Sequence, residues 1–273
     1  MAEDFQAVAE MFDLWSAPDS DGKKEKLRLT NPSEILYIAH HLYVLDSIGV
    51  PGVVLECGCA HGFSSACLSI ACARLGRRLV VADSFEGLPA THSDEPFFRA
   101  GDYAAREEEV LEHIALLGHR EVVSTVKGWY SESLQGWREP VAILWMDVDL
   151  YESARDLLAH VYSHIEPRGA IFTHEYTDFH GKIFEAGSHS VPGAIHERFR
   201  AANRASREAL LTRYWGIFGG PEAAQFDSHK VLDAVRPELL RRDPRARLHE
   251  ELRDSRTVRL AFAAKHFLKP GRR

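Results

Sequence analysis

Two groups of residues in this chain have the types and spacing to do chemistry. The first is Glu56-x-Gly58-x-x-x-Gly62, which closes the apolar run Val53-Val54-Leu55, with Asp83 closing a second apolar run, Leu79 to Ala82. Glycines let a backbone turn tightly and approach a ligand, and a helix opening just after them offers unpaired N–H groups. Acids at the carboxyl ends of neighbouring parallel strands point into the crevice where open α/β sheets bind small molecules. A ligand with hydroxyls or an amine suits them. The second group is Asp147, His174 and Glu175, again after apolar runs, Val141 to Met146 and Ala170 to Thr173. One imidazole and two carboxylates can hold a divalent ion with open positions, which would bind a substrate hydroxyl, lower its pKa and orient it. Polar residues at strand ends can equally be solvated or hydrogen-bonded with no ion at all.

The glycine loop does not have the G-x-G-x-x-G order of a dinucleotide fingerprint, and an acid precedes its glycines. Glu56 would repel a pyrophosphate, whereas S-adenosylmethionine carries no phosphate and offers an amino group and a ribose diol to Glu56 and Asp83. The interval from Gly62 to Asp83 also matches ribose recognition in a dinucleotide enzyme. A nicotinamide-dependent oxidoreductase on a similar sheet is therefore the rival reading, and a non-catalytic protein that kept the cofactor fold is a second.

The elements that must position these residues alternate. Helical spacing of Ile35, Ile38, Leu42 and Leu45, with Asn31-Pro32-Ser33 before them, predicts a helix over Glu34 to Ile48, after an earlier one over Phe5 to Trp15. Strands are expected at Val53, Leu79, Val122 to Val126, Val141 to Met146 and Ala170 to Thr173. Between them lie helices over Ser64 to Leu75, Ala104 to Leu117 and Tyr151 to His164, a polar loop before Asp102 and a turn at Pro167-Arg168-Gly169. That alternation defines an α/β, Rossmann-like, doubly wound and mostly parallel sheet of about seven strands. Further on, Gly181 to Gly193 reads as a substrate loop, Ala194 to Leu211 as a helix, and Arg213 to Phe218 and Val258 to Phe267 as strands. The expected organisation is one domain, with residues 1–50 as a helical cap, 51–218 and 257–268 as core sheet, and 219–256 as a helical insertion. The mixed charge of Glu222 to Asp254 reads first as a solvated face, with a subunit contact, and so a homo-oligomer, as the alternative.

With 33 basic and 40 acidic residues the net charge is −7, which gives no field for nucleic acid. The acidic N-terminus and the lack of an apolar run of roughly 18 residues predict a cytoplasmic protein without a membrane span. Cys57, Cys59, Cys67 and Cys72 crowd around the turn with neither zinc nor disulfide spacing, so they are expected to pack as small residues. His160, His164 and His196 are expected at the surface, and His180 and His189, on the glycine-rich loop, are the better substrate contacts.

Three segments carry a resemblance. Asp83-Ser84-Phe85-Glu86-Gly87-Leu88-Pro89, Gly128-Trp129-Tyr130-Ser131-Glu132-Ser133-Leu134 and Asp147-Val148-Asp149-Leu150-Tyr151-Glu152-Ser153 together resemble the signature of the macrocin and mycinamicin sugar O-methyltransferases. That resemblance implies transfer of a methyl group from S-adenosylmethionine, with a divalent metal, to a hydroxyl of a glycosylated small molecule such as an antibiotic. It also implies that Thr30 contacts the cofactor, that Glu56, Gly58 and Gly62 hold its methionine part, Asp83 and Ser84 its ribose, and Trp129 and Ser131 its adenine side. Asp147 would be the first metal ligand and a candidate base. Where the family carries two adjacent aspartates after the fifth strand, this chain has His174-Glu175, and imidazole suits Mn, Fe, Zn or Ni better than Mg. Three outcomes follow: a softer ion, weakly held magnesium on Asp147 and Glu175, or no ion and His174 as general base.

Overall fold

The computed structural model describes residues 32–90, 97–178, 182–185, 187–210 and 215–224. Helix α1 (Pro32–Ser47) opens on a proline, whose fixed φ suits a first turn. Its predicted stripe, Ile35, Ile38, Leu42 and Leu45, is fully buried, and Leu36, Tyr37, Ala39 and His41 are buried as well. The helix is thus packed over more of its surface than its periodicity announces. Arg77 locks its end to the first strand, bonding Asp46 at 2.9 Å and the carbonyls of Val50 and Gly52 at 2.6 and 3.0 Å.

The strands are β1 (Val53–Cys57), β2 (Leu79–Asp83), β3 (Val123–Lys127), β4 (Val141–Met146), β5 (Ile165–Thr173), β6 (Arg207–Leu210) and β7 (Gly216–Gly219). They form one seven-stranded sheet in the order β3-β2-β1-β4-β5-β7-β6. The first five are parallel, and β7 and β6 run antiparallel at one side. Helix α2 (Phe63–Arg74) packs on α1 and on α3 (Glu107–Leu117), while short α4 (Tyr130–Ser133), α5 (Tyr151–Val161) and α6 (Val191–Ala201) form a second packed set. Alternation along β1 sends Val53, Leu55 and Cys57 into the core shared with α5 and α6. The side chains of Val54 and Glu56 therefore turn to the opposite face, where Ser64 of α2 meets Glu56.

The doubly wound reading holds, with local corrections. The stretch read as one helix, Ala194 to Leu211, is α6 followed by an antiparallel strand, β6, which supplies the seventh strand. The turn read at Pro167-Arg168-Gly169 lies inside β5, where the pairing with β4 shifts register between Val141 and Ile143. This irregularity in the ladder absorbs the proline without ending the strand. The helix expected from Ala104 begins at Glu107, and within the described residues the strand expected over Arg213 to Phe218 is Gly216–Gly219. The helix over Phe5 to Trp15, Thr30, His180, Val258 to Phe267 and most of the 219–256 insertion lie outside the described residues. Among the described residues no helix is long and apolar enough to cross a membrane.

Candidate functional site

The strand order reverses between β1 and β4, with β1 leading outward to β2 and β4 leading outward to β5. Crevices form at such a switch point, beyond the carboxyl ends of the strands. Here the ladder continues past the strands: Gly58 N–H donates to Ala82 O at 3.2 Å, Asp147 N–H to Cys57 O at 3.0 Å, and His174 N–H to Met146 O at 3.1 Å. Gly58, Asp147 and His174 therefore stand side by side along one edge. They line a single cleft together with Ser64, Asp83, Ser84, Tyr103, Trp129, Asp149 and Ser153.

On the β1–β2 side the backbone forms the wall. Gly58 sits at φ +85°, and a Cβ there would overlap the carbonyl oxygen of Asp147. Only glycine lets the two chains approach so closely. Asp83 accepts the Cys59 N–H on one carboxylate oxygen and the Phe85 N–H on the other, both at 2.8 Å. Each oxygen keeps a lone pair for a ligand hydroxyl. Ser84 is occupied within its turn, donating to Gly87 O at 2.9 Å and accepting from Glu86 N–H at 3.0 Å.

Glu56 departs from expectation. It is fully buried and does not line the cleft. Ser64 Oγ donates to its Oε1 at 2.5 Å, while its buried Oε2 has no hydrogen-bond partner. Burial, with Asp147 and Asp83 adding repulsion, pushes its carboxyl up to about 8. A carboxyl that keeps its proton at neutral pH presents little charge, so the expected repulsion of a pyrophosphate by Glu56 loses its physical basis. Its visible effect on the cleft passes through Ser64. Gly62 likewise stands back from the cleft, at φ +82° before α2, where a Cβ would press on Val110 of α3.

The acid side is built from side chains. Asp147 Oδ1 lies 3.2 Å from His174 Nδ1, and ligand atoms of Asp147, His174 and Glu175 all fall within 4.8 Å of one another. Two donors held by one ion at about 2.1 Å and near right angles would be about 3.0 Å apart, so this spacing fits a cation as well as a direct hydrogen bond. Glu175 accepts from Thr173 Oγ1 at 2.6 Å and from Asp149 N–H at 3.2 Å. Burial, then the charges of Asp147 and Asp149, hold its carboxyl well above the usual carboxylate range. Crowded acids of this kind are what a divalent ion relieves. Behind them, Trp145 and Trp215 stack at 4.1 Å, and His174 sits edge-on to Trp215 at 5.6 Å.

Of the expected site residues, the fold gathers Gly58, Asp83, Ser84, Trp129, Asp147 and His174 around the cleft, with Glu175 beside it. Ser131 is exposed and does not line it. His189 is also outside it, bonded to Glu152 at 2.9 Å and packed on the Tyr151 ring at 4.1 Å. His196 pairs with Glu208 at 3.1 Å. All four cysteines are free and buried, and burial pushes the thiols of Cys57, Cys59 and Cys72 up, which fits packing. Sequence reasoning missed Tyr103 and the role of Asp149. Both carry positive φ, +64° and +57°, a property of the folded turn that the residue names do not announce.

Residues 55–176 match the family model described as a methyltransferase domain, and the architecture is a Rossmann-like α/β fold that solved methyltransferases share. The chain is 32% identical over 143 residues to 8-demethyl-8-(2,3-dimethoxy-alpha-L-rhamnosyl)-tetracenomycin-C 4'-O-methyltransferase of Streptomyces olivaceus, covering 47% of this chain and 54% of the relative. It is 33% identical over 155 residues to demethyldecarbamoylnovobiocin O-methyltransferase of Streptomyces niveus, with 49% and 56% covered. Both relatives are O-methyltransferases by name, and the matches span about half of their length. Among solved structures, the O-methyltransferase NovP superposes with a TM-score of 0.59 at 23% identity, over 69% of this chain and 80% of that one. The calicheamicin methyltransferase CalS11 does so with 0.53 at 15%, over 79% and 91%. At these identities the structural likeness is one of fold.

Proposed function

We propose that this chain is an O-methyltransferase that takes its methyl group from S-adenosylmethionine and transfers it to a hydroxyl of a sugar on a small glycosylated natural product. The observation that carries this reading is the placement of Gly58, Asp147 and His174 on adjacent strand ends along one cleft. Bound S-adenosylmethionine supplies an electrophilic methyl on a sulfonium that is its own leaving group. The residues around the cleft then have three tasks. The Gly58 loop and Ser64 at the start of α2 seat the methionine end, Asp83 accepts from ribose hydroxyls, and Trp129 gives a flat wall for the adenine. Asp147 and His174 receive the acceptor hydroxyl and take its proton as the new carbon–oxygen bond forms.

A divalent cation held by Asp147, His174 and Glu175 would lower the pKa of the acceptor hydroxyl, and the imidazole favours Mn, Fe, Zn or Ni. The 3.2 Å approach of Asp147 Oδ1 to His174 Nδ1 also supports a second reading, an imidazole base oriented by an aspartate. Calorimetry with S-adenosylhomocysteine and with a nicotinamide dinucleotide tests the cofactor, and only the former should bind. Turnover of the rhamnosyl-tetracenomycin named above, with Mg, Mn or Zn and after chelation, then separates the two readings of His174. Binding of the dinucleotide alone would overturn the proposal.

A further inference from the structure

Among the described residues of the loop between β2 and α3, the aromatic that lines the cleft is Tyr103, and the reaction outlined above leaves it unused. Tyr103 is 44% exposed and lines the cleft beside Asp147, Asp149 and His174. Its φ of +64° is costly for a bulky residue, on the order of 1 kcal/mol or more, and persists only where the surroundings impose it. The surroundings are visible. Leu88 N–H donates to Asp102 O and Gly101 N–H to Leu88 O, both at 2.9 Å, and Arg99 N–H reaches the Asp102 carboxylate at 2.8 Å. A Cβ at Gly87 would run into the carbonyls of Gly101 and Asp102, so the two strips of backbone are in tight contact. The turn is pinned to the Leu88 strip just before Tyr103, which lines the cleft.

Burial first, and then the charges of Asp149, Asp102 and Asp147, hold the Tyr103 phenol above the ordinary tyrosine range. Two of those three acids belong to the side of the cleft where the acceptor is deprotonated. A tyrosine phenol carries its proton at neutral pH and is a hydrogen-bond donor wherever it lines a cleft. It can donate to a hydroxyl or to an ether oxygen, and its ring can cover the C–H face of a sugar.

We propose that Tyr103 is an acceptor-binding residue that donates to the oxygen adjacent to the reacting hydroxyl, so that the site selects a vicinal diol of a saccharide or its partly methylated form. This rests on the O-methyltransferase reading. The test compares wild type, Tyr103→Phe and Tyr103→Ala with the rhamnosyl-tetracenomycin as acceptor, S-adenosylhomocysteine affinity by calorimetry, and melting temperature as a folding control. Tyr103→Phe should raise the acceptor KM roughly three- to tenfold, with S-adenosylhomocysteine affinity within about twofold of wild type. Tyr103→Ala should exceed that, since it also removes the ring. An unchanged acceptor KM in both variants, or a matching loss of S-adenosylhomocysteine affinity, overturns the assignment while the function stands. If wild type turns over no glycoside, that reading fails, and the assignment is decided by NMR titration of methyl α-L-rhamnopyranoside into the protein with S-adenosylhomocysteine. Binding weakened by Tyr103→Phe upholds it, and no binding or equal binding defeats it.

Discussion

From Val53 to Ser84 the polar groups beside the cleft are largely occupied by the chain itself. Asp83 is bonded by two backbone N–H groups, Ser64 by Glu56, and Ser84 by its own turn. Around Asp147, His174 and Tyr103 the groups are side chains with room to act, and Asp147 and His174 are 22% and 29% exposed. The first region is a cradle shaped by backbone. The second is a working surface shaped by loops. On the proposed reading, the difference predicts that donor and acceptor recognition answer to different mutations: the first fails when backbone geometry is altered, the second when one side chain is changed.

The largest effect should come from Gly58→Ala, because a Cβ there overlaps the Asp147 carbonyl and the φ of +85° disfavours any side chain. S-adenosylhomocysteine binding should fall at least about a hundredfold and the melting temperature with it, as calorimetry and thermal unfolding would show. A silent variant would break the idea of a backbone cradle. Glu56 sharpens it through pH. Its carboxyl is raised to about 8 from an ordinary value of 4.5. Between those values the folded state holds a proton that the unfolded state has released, so stability falls as pH rises through that window. The Glu56 share of that loss is on the order of 5 kcal/mol, and denaturant unfolding of Glu56→Gln should slope less steeply than wild type, the remaining slope coming from Glu175, which is raised in the same window. Equal slopes would mean that Glu56 is ionised in the fold.

Asp147→Asn tests the other region. It keeps the shape and removes the charge, so kcat should drop about 10²- to 10³-fold while S-adenosylhomocysteine affinity changes by less than about threefold. A parallel loss of both would merge the two regions into one. The smallest effect belongs to His189→Ala, which removes an exposed pair with Glu152 and a ring contact with Tyr151 outside the cleft. Unfolding should register less than about 1 kcal/mol, and acceptor KM should hold steady.

The same contrast governs what could be read from the chain beforehand. The glycine loop announces itself because local conformation demands those residues, and the strand Val141–Met146 was legible because a fully buried parallel strand is a continuous apolar run. Strand β6 was hidden because Arg207-Glu208-Ala209-Leu210 has no period of its own and is a strand only through its pairing with β7. Glu56 was found as a residue but misread as a presented charge, since burial by α2 is a tertiary fact. Tyr103 was invisible for a related reason: hydrogen bonds between Leu88, Gly101 and Asp102 put it in place, and no spacing in the sequence encodes them.

The close approach at Gly58 has a consequence for how such an enzyme can diversify. With the Asp147 carbonyl filling the space of a missing Cβ, the distance between the Gly58 loop and Asp147 is a fixed rung of the sheet, and on the proposed reading no side-chain exchange can lengthen the span from methyl source to acceptor acid. Novelty in the acceptor must therefore be written into the connecting loops, of which the segment carrying Tyr103 is one. The core can then be inherited unchanged while its customers differ.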